Sequence, residues 1–145
     1  MHAELVGFDE REGKELPLEA YIAGLVELTD RCFRDHPGYP AIFMDVQAAT
    51  RDLIASEEEA DARLIAALSA TLLVHAAADD RLLGEQESRL IAYVLLKAIG
   101  NLLWISTTQE PEFRDRLVRE TSELAIAYLR RRIAASSSVC DPFDP

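Results

Sequence analysis

The 145-residue chain has 26 acidic and 15 basic residues, which gives it a net charge of −11. This balance argues against a general nucleic-acid surface, which needs clustered Lys and Arg to neutralise phosphates, and against binding to anionic membranes. The charged N-terminus has no apolar segment, so we predict no signal peptide and a cytoplasmic protein, and two cysteines are too few for a disulfide framework.

The first third of the chain predicts one long helix and one short helix. Residues 1–17 show no sustained apolar period, so we predict a linker or lead-in there. Over 18–34 apolar residues recur at three- and four-residue steps, which indicates a helix, and Pro17 suits its start. The sequence HPGYP at 36–40 interrupts the pattern, and a shorter helix is predicted over 41–54.

Two further helices flank the most apolar part of the chain. Ser56 and the three glutamates after it are typical of an N-cap with acids in the first turn, which predicts a helix over 57–78. Gly84 marks the loop that follows. A last helix is predicted over 112–133, and we expect residues 134–145 to form a disordered tail.

The apolar stretch LIAYVLLKAIGNLLWI at 90–105 contains one charge, Lys97, and one amide, Asn101. It lies in a helix predicted over 85–107, and it is shorter than the roughly 20 apolar residues that cross a bilayer. A soluble helix that is apolar on nearly every face must be covered on nearly every face. We therefore predict that this helix packs on its own domain and on a second copy of the chain, with the Lys97 amine in water. Without strand alternation or repeats, the fold class is all-α, with five main helices.

Two segments resemble a known family. The sequence FRDHPGYPAIF at 33–43 resembles a motif in the regulatory domains of TetR-type transcriptional regulators, and residues 90–133 resemble the last two helices of those domains. The resemblance extends in order over 18–133. It implies a helical bundle whose last two helices pair with those of a second subunit in a four-helix dimer interface.

The resemblance also implies a function. TetR-type regulators, often repressors of bacterial genes, bind a small apolar or amphipathic effector among the helices of each subunit and contact DNA through an N-terminal helix-turn-helix domain. The 17-residue lead-in has no room for that domain. We therefore expect a homodimeric, effector-binding regulatory domain whose DNA-binding domain is absent from this chain, or a stand-alone module without DNA contact.

Effector pockets are mostly hydrophobic, with a few polar groups that orient the ligand. Residue type and helical face suggest these effector candidates, each of which could instead be ordinary core or surface: Tyr21, Phe33, Phe43, Met44, Gln47, Leu68, Thr71, His75, Asn101 and Trp104. The candidates for the dimer interface are Tyr93, Leu96, Gly100, Leu103, Leu117, Thr121, Leu124 and Tyr128. Gly100 would permit close helix approach or form a local kink.

Other classes of function find less support in the sequence. There is no HExxH motif, no Glu-x-x-His pair and no glycine-rich phosphate loop, so we predict neither an enzyme nor a cofactor. Cys32 and His36 are four residues apart, but Pro37 pushes His36 out of the helix. The sequence ADDRLLGEQE at 78–87 faintly resembles the acidic turn of tellurite-resistance TerB-like domains but lacks EF-hand spacing, which leaves a metal-binding module as an alternative. Three arginines at 130–132 suit a helix C-terminus.

Overall fold

The computed structural model describes the backbone of residues 2–36 and 51–135, with side chains described for 3–36 and 58–134. These residues form helices and no strands, which confirms the all-α class. The five described helices are α1 (His2–Glu12), α2 (Leu18–Asp35), α3 (Arg51–Ala78), α4 (Glu85–Ser106) and α5 (Pro111–Ala135). The predictions for residues 41–50 and for the tail beyond residue 135 lie outside the described residues.

Helix α1 occupies a segment for which we predicted a linker or lead-in. That prediction is wrong for residues 2–12, because Leu5 and Phe8 of α1 are buried in the common core. Two glycines permit the close approach of α1: a Cβ at Gly13 would lie 3.0 Å from the Thr71 Oγ1 of α3, and one at Gly24 of α2 would lie 2.7 Å from the Phe8 ring. Among its described apolar side chains only Leu5 and Phe8 are buried, and α1 is too short and too charged to show a clear apolar period.

The other helices follow the predicted pattern, with one correction at a boundary. Helices α2, α4 and α5 begin and end within two residues of their predicted limits. Helix α3 begins at Arg51, so Ser56 lies inside the helix and is not its N-cap. A Ser followed by acids is compatible with a helix interior as well as with a first turn, and no Gly or Pro separates it from the preceding residues.

Helix α4 is central to the bundle. It packs against α3 on one flank and against α5 on the other, and it also contacts α2, while α1 packs on α2 and α3. Its buried stripe consists of Ile91, Leu95, Ile99 and Leu103, at helical spacing. Each fully buried Leu or Ile contributes about 1.5–3 kcal/mol relative to an exposed one.

The same helix is not fully covered by its own chain. Among the described residues, most of the large apolar side chains that remain exposed belong to α4 or α5: Leu90, Tyr93, Val94, Ile105, Phe113 and Leu124. An exposed set of this kind, concentrated on two adjacent helices, is typical of an interaction surface.

Two helical segments, Glu58–Ala78 and Glu85–Ser106, have the length and apolar composition of a membrane span. The shortness of the apolar run at 90–105 therefore does not by itself exclude a membrane span. The core helix of a soluble protein meets the same criteria, and both segments supply buried core residues such as Leu68 and Leu95.

Candidate functional site

A cleft lies on the flank of α4 that faces α1, α2 and α3. Four helices contribute to its wall, and most of the lining side chains are apolar. They are Leu5, Leu25, Thr29, Phe33, Asp61, Leu64, Leu96, Lys97, Ile99, Gly100 and Asn101. A mostly apolar lining with a few converging polar groups is the usual composition of a small-molecule site.

An ion pair crosses this cleft. The Lys97 ammonium on α4 donates a hydrogen bond to the Asp61 carboxylate on α3. The Asp61 side chain is only 17% exposed, whereas the Lys97 side chain is 43% exposed, and the Lys97 Nζ also lies 6.0 Å from the centre of the Tyr93 ring. Lys97, whose amine we expected to find in water, has a half-exposed side chain and is paired with a more buried acid.

The cleft is small. Its volume is about 50 Å³, whereas small-molecule pockets usually measure roughly 300–1,000 Å³. Gly100 borders it without filling it, because a Cβ there would meet no atom within 4 Å. A larger occupant therefore needs side chains to move, and a half-exposed lysine can move more easily than the buried Leu64 or Ile99.

The Asn101 amide is hydrogen-bonded within its own helix. Its Nδ2 donates to the Lys97 carbonyl oxygen of the preceding turn at 2.9 Å, and its side chain is exposed at the edge of the cleft. Because the side chain is exposed, water can reach the amide oxygen, and its hydration offsets the lack of a second hydrogen bond within the protein. Asn101 is therefore placed to contact a ligand, although the fold does not require one.

Tyr21, Thr71 and His75 do not line the cleft. They surround the C-terminal end of α1, where the Tyr21 hydroxyl donates to the buried Asp9 carboxylate at 2.5 Å and the His75 Nε2 donates to the Gly13 carbonyl oxygen at 2.7 Å. The Tyr21 ring stacks between Phe8 and His75. Burial first, and the Asp9 contact second, raise the pKa of Tyr21. Tyr21 and His75 hold α1 on the bundle through these contacts, whereas the buried Thr71 hydroxyl has no hydrogen-bond partner among the residues that the structure describes.

The remaining effector candidates divide further. Phe33 and Asn101 line the cleft, Leu68 is fully buried core, and Phe43, Met44 and Gln47 lie outside the described residues. Trp104 follows Asn101 by three residues, on the same side of α4. Its buried Nε1 has no hydrogen-bond partner among the residues that the structure describes. It lies beside the cleft without lining it.

Sequence reasoning missed Asp61, which supplies the negative charge of the cleft. A signal for it was present, because Asp61 precedes Leu64 and Leu68 by three and seven residues. That spacing puts a charged side chain on the buried stripe of α3. A carboxylate on an apolar stripe needs a partner, and the structure supplies Lys97.

A second concave surface lies on the opposite flank of α4, against α5. It is almost purely apolar and has a volume of about 200 Å³. On both α4 and α5 the lining residues recur at three- and four-residue spacing, which places them on one face of each helix. They are Val94, Leu95, Ala98, Ile99, Leu102, Thr121, Leu124, Ala125 and Tyr128. We call this surface the α4/α5 groove.

The predicted dimer residues fall into two groups. Leu124 and Tyr128 line the α4/α5 groove, Leu117 is half-buried on the same side of α5, and Tyr93 is exposed on α4. Thr121 is buried in the wall of the same groove, Leu103 is buried within its own chain, and Leu96 and Gly100 line the cleft on the other flank. Leu96, Gly100 and Leu103 therefore lie away from the groove, because an all-round apolar helix does not reveal which flank its own chain covers.

The weaker motifs occupy ordinary structural positions. The Cys32 thiol donates to a Glu4 carboxylate oxygen at 2.9 Å, while the His36 Nδ1 donates to the Cys32 carbonyl oxygen at 3.2 Å. Burial, and then the Glu4 contact, raise the pKa of the Cys32 thiol to about 11. Within residues 3–36 and 58–134, no three His, Cys, Asp or Glu side chains come together in a way that could hold a metal ion.

The arginines near the end of α5 join helices together. Arg130 donates to Glu19 on α2, with its Nε 2.7 Å from the carboxylate oxygen, and Arg132 pairs with Glu87 on α4. At the start of α5, Arg114 pairs with the buried Asp30 of α2 at 2.9 Å. Two members of the three-arginine run are therefore engaged with acids of their own chain.

Comparison with known proteins gives one match. A family model described as "Tetracyclin repressor-like, C-terminal domain" matches residues 17–129. The match covers most of the chain and includes α2, α4, most of α5 and the described part of α3, whereas α1 precedes it. No curated protein and no solved structure matches the chain.

Proposed function

The chain belongs to the family of tetracycline repressor-like C-terminal domains, and from that membership we propose that it is the effector-binding and dimerisation domain of a TetR-type transcriptional regulator. Regulators of this family are soluble, and we further propose a cytoplasmic repressor. DNA contact then belongs to a helix-turn-helix domain outside residues 1–145. The chain itself performs no catalysis in this account.

The observation that carries the dimer part of the proposal is the uncovered flank of α4 and α5. Val94 and Leu124, both exposed, lie at the edges of the α4/α5 groove. A second copy, related by two-fold symmetry, would bring the same surface against itself and cover both apolar edges. Such an interface needs no polar partner at its centre, since the groove is almost purely apolar.

The effector part of the proposal rests on the cleft. Its walls come from four helices, and they include Leu5 of α1. A molecule that enters the cleft would therefore press on α1 as well as on α4. The cleft is lined by α1, the first described helix, and by α4, which also contributes to the proposed dimer flank. An effector bound there would therefore be in a position to change how the two subunits lie relative to each other.

The oligomeric state tests this function directly. We expect sedimentation equilibrium of the chain at micromolar concentration to give about twice the 16.2 kDa monomer mass. A monomer at all concentrations up to about 100 μM would contradict the proposed interface, since even a standard-sized apolar interface in a homodimer binds more tightly than that.

A further inference from the structure

A separate pocket lies at one end of the bundle and shares no lining residue with the cleft or with the α4/α5 groove. It is formed by the start of α2, the loop between α3 and α4, and the C-terminal half of α5, and its volume is about 220 Å³. Its apolar lining consists of Leu18, Ile22, Ile126, Leu129 and Ile133. We call it the end pocket.

Four charged residues complete the lining of the end pocket, two acids and two bases. Arg130 donates to Glu19 with its Nε 2.7 Å from the carboxylate oxygen, so these two charges satisfy each other. Asp79 and Arg81 form no ion pair within residues 3–36 and 58–134. The pocket therefore presents one anion and one cation that the described part of the chain does not neutralise.

The Arg81 side chain is held in place at this pocket. Asp80 has a positive φ of 55°, a conformation that is typical of a helix end, and the Arg81 N–H donates to the Ala76 carbonyl oxygen of α3 at 2.9 Å. The Arg81 Nη1 donates to the Ile133 carbonyl oxygen, close to the end of α5, at 3.2 Å. Because a guanidinium group has five N–H donors, this contact leaves several of them for a ligand.

We propose that the end pocket binds a small apolar α-amino acid in its zwitterionic form. The ligand carboxylate accepts hydrogen bonds from Arg81, since a guanidinium group matches a carboxylate with two parallel N–H donors. The ligand ammonium pairs with Asp79, and the hydrocarbon side chain contacts the apolar lining. This inference goes beyond the proposed function and does not depend on the cleft.

The balance of charges favours a zwitterion over a simple acid or a simple amine. A ligand with only a carboxylate would meet the like charge of Asp79 beside Arg81, and a ligand with only an ammonium group would meet the like charge of Arg81. The net charge of −11 on the whole chain also lowers the local concentration of anions. A ligand that carries both charges and is neutral overall avoids each of these costs.

The size and the walls of the pocket suit a molecule as small as an amino acid. Pockets for drug-sized ligands usually measure roughly 300–1,000 Å³, and the end pocket is somewhat smaller. Ile22, Leu129 and Ile133 are buried core residues, so this part of the wall is fixed by packing. A branched aliphatic side chain that lies against them removes apolar surface from water.

Three probes with the same hydrocarbon part and different charged groups test the proposal. They are L-leucine, 4-methylpentanoate, which lacks the ammonium group, and 3-methylbutylamine, which lacks the carboxylate. In an NMR titration of the full ¹⁵N-labelled chain at pH 7, leucine should bind with a dissociation constant of about 1 mM or lower, within reach of a ligand of this size. It should bind at least tenfold more tightly than either of the other probes. The amide signals that move should belong to residues 18–22, 79–81 and 126–133.

Substitutions of Arg81 test recognition of the carboxylate. Arg81→Gln removes the guanidinium group and should weaken leucine binding at least tenfold. Arg81→Lys keeps the charge but loses the paired donors, and it should weaken leucine binding at least threefold, which provides a second variant if the first does not fold. Arg116→Gln, at an exposed position of α5, changes the net charge by the same amount as Arg81→Gln and should leave the affinity unchanged.

Substitution of Asp79 tests recognition of the ammonium group. Asp79→Asn keeps the side-chain shape and should reduce the advantage of leucine over 4-methylpentanoate from at least tenfold to less than about threefold. Asp115→Asn, also at an exposed position of α5, is the matched control and should preserve the tenfold advantage.

Several results would overturn the inference. An absence of shifted signals with leucine up to about 20 mM would reject the site, since even millimolar binding would be visible there. Shifts confined to cleft residues 96–101 would place leucine elsewhere, and equal affinity for either single-charge probe would reject recognition of a zwitterion. An unchanged affinity for leucine in Arg81→Gln would reject the role of the guanidinium group. None of these results affects dimerisation in sedimentation, so the proposed function is tested separately.

Discussion

The two flanks of α4 differ in what covers them and in how they are built. On one flank α1, α2 and α3 close over the helix, and a Lys97–Asp61 ion pair crosses a cleft with a volume of about 50 Å³. On the other flank α5 covers the helix incompletely and leaves a groove of about 200 Å³ with almost no polar surface. The covered flank therefore contains a charge that is paired within the chain, whereas the uncovered apolar surface of the other flank suits a large apolar partner.

We expect the largest loss of stability from a substitution on the flank of α4 that α1, α2 and α3 cover. Leu5→Ala removes a fully buried side chain of α1 and should lower the free energy of unfolding by about 2–5 kcal/mol. Urea denaturation followed by circular dichroism measures it. The control is Leu82→Ala, since Leu82 is 89% exposed and should change stability by less than about 0.5 kcal/mol. Equal effects from the two variants would show that α1 is not part of the core.

A charge placed on the uncovered flank of α4 and α5 should weaken dimerisation. Leu124 is 55% exposed at the edge of the α4/α5 groove, and Leu124→Arg would place one charge from each subunit in the interface. We expect the dimer dissociation constant to rise at least about thirtyfold, a change of about 2 kcal/mol, as measured by sedimentation. Leu82→Arg adds the same charge to an exposed loop and should not alter dimerisation. A dimer that is unaffected by Leu124→Arg would place the interface elsewhere.

A smaller effect should follow from the polar contact that fastens α1. Tyr21→Phe removes the hydroxyl that donates to the buried Asp9 carboxylate, and it should destabilise the protein by about 1–3 kcal/mol because the acid loses a donor. Tyr93→Phe, on a half-exposed tyrosine of α4, should cost less than about 0.5 kcal/mol. Thermal unfolding of the two variants distinguishes them, and equal melting temperatures would remove the role assigned to this hydrogen bond.

The Cys32 thiol of α2, which contacts Glu4 of α1, allows the packing of α1 to be tested through pH. Its pKa is raised to about 11, first by burial and then by the Glu4 contact, so the folded protein holds the proton that an unfolded thiol loses near pH 8.5. Stability from this residue is therefore complete below about pH 8.5 and declines as the pH approaches 11.

The raised pKa of Cys32 should also slow the reaction of its thiol with disulfide reagents. In a Cys140→Ser variant, the reaction of Cys32 with a disulfide reagent at pH 8 should be at least tenfold slower than that of glutathione, because the thiolate is the reactive form. The rate should still be rising above pH 10. A rate that levels off near pH 8.5 would show an unshifted thiol and a loosely packed α1.

The smallest expected change is a gain in stability. Gly100→Ala adds a methyl group where no atom lies within 4 Å, and it should stabilise α4 by about 0.5–1 kcal/mol through helix propensity. Chemical denaturation at a fixed protein concentration provides the measurement. A loss of stability instead would indicate that a second subunit approaches Gly100 closely, as the sequence-based assignment to the dimer interface supposed.

Periodicity in the sequence was enough to find most of the described helices. Long apolar patterns identified α2, α4 and α5 to within two residues, since an amphipathic stripe of several turns is a strong local signal. The resemblance to the regulatory domains of TetR-type regulators, carried by residues 33–43 and 90–133, agrees with the family match over residues 17–129. The sequence pattern did not predict α1, because among its described apolar side chains only Leu5 and Phe8 are buried, and the residue that stacks on Phe8, Tyr21, lies on another helix.

The composition of α4 by itself determined that this helix must be covered on more than one side. Only the tertiary structure decided which side faces which partner, because helical spacing gives the angle between residues and not the direction of a neighbouring helix. Leu96 and Gly100 thus belong to the cleft, whereas Val94 and Leu124 belong to the groove. Likewise Asp61 and Lys97 are 36 residues apart in the chain, and their pairing exists only because α3 and α4 pack side by side.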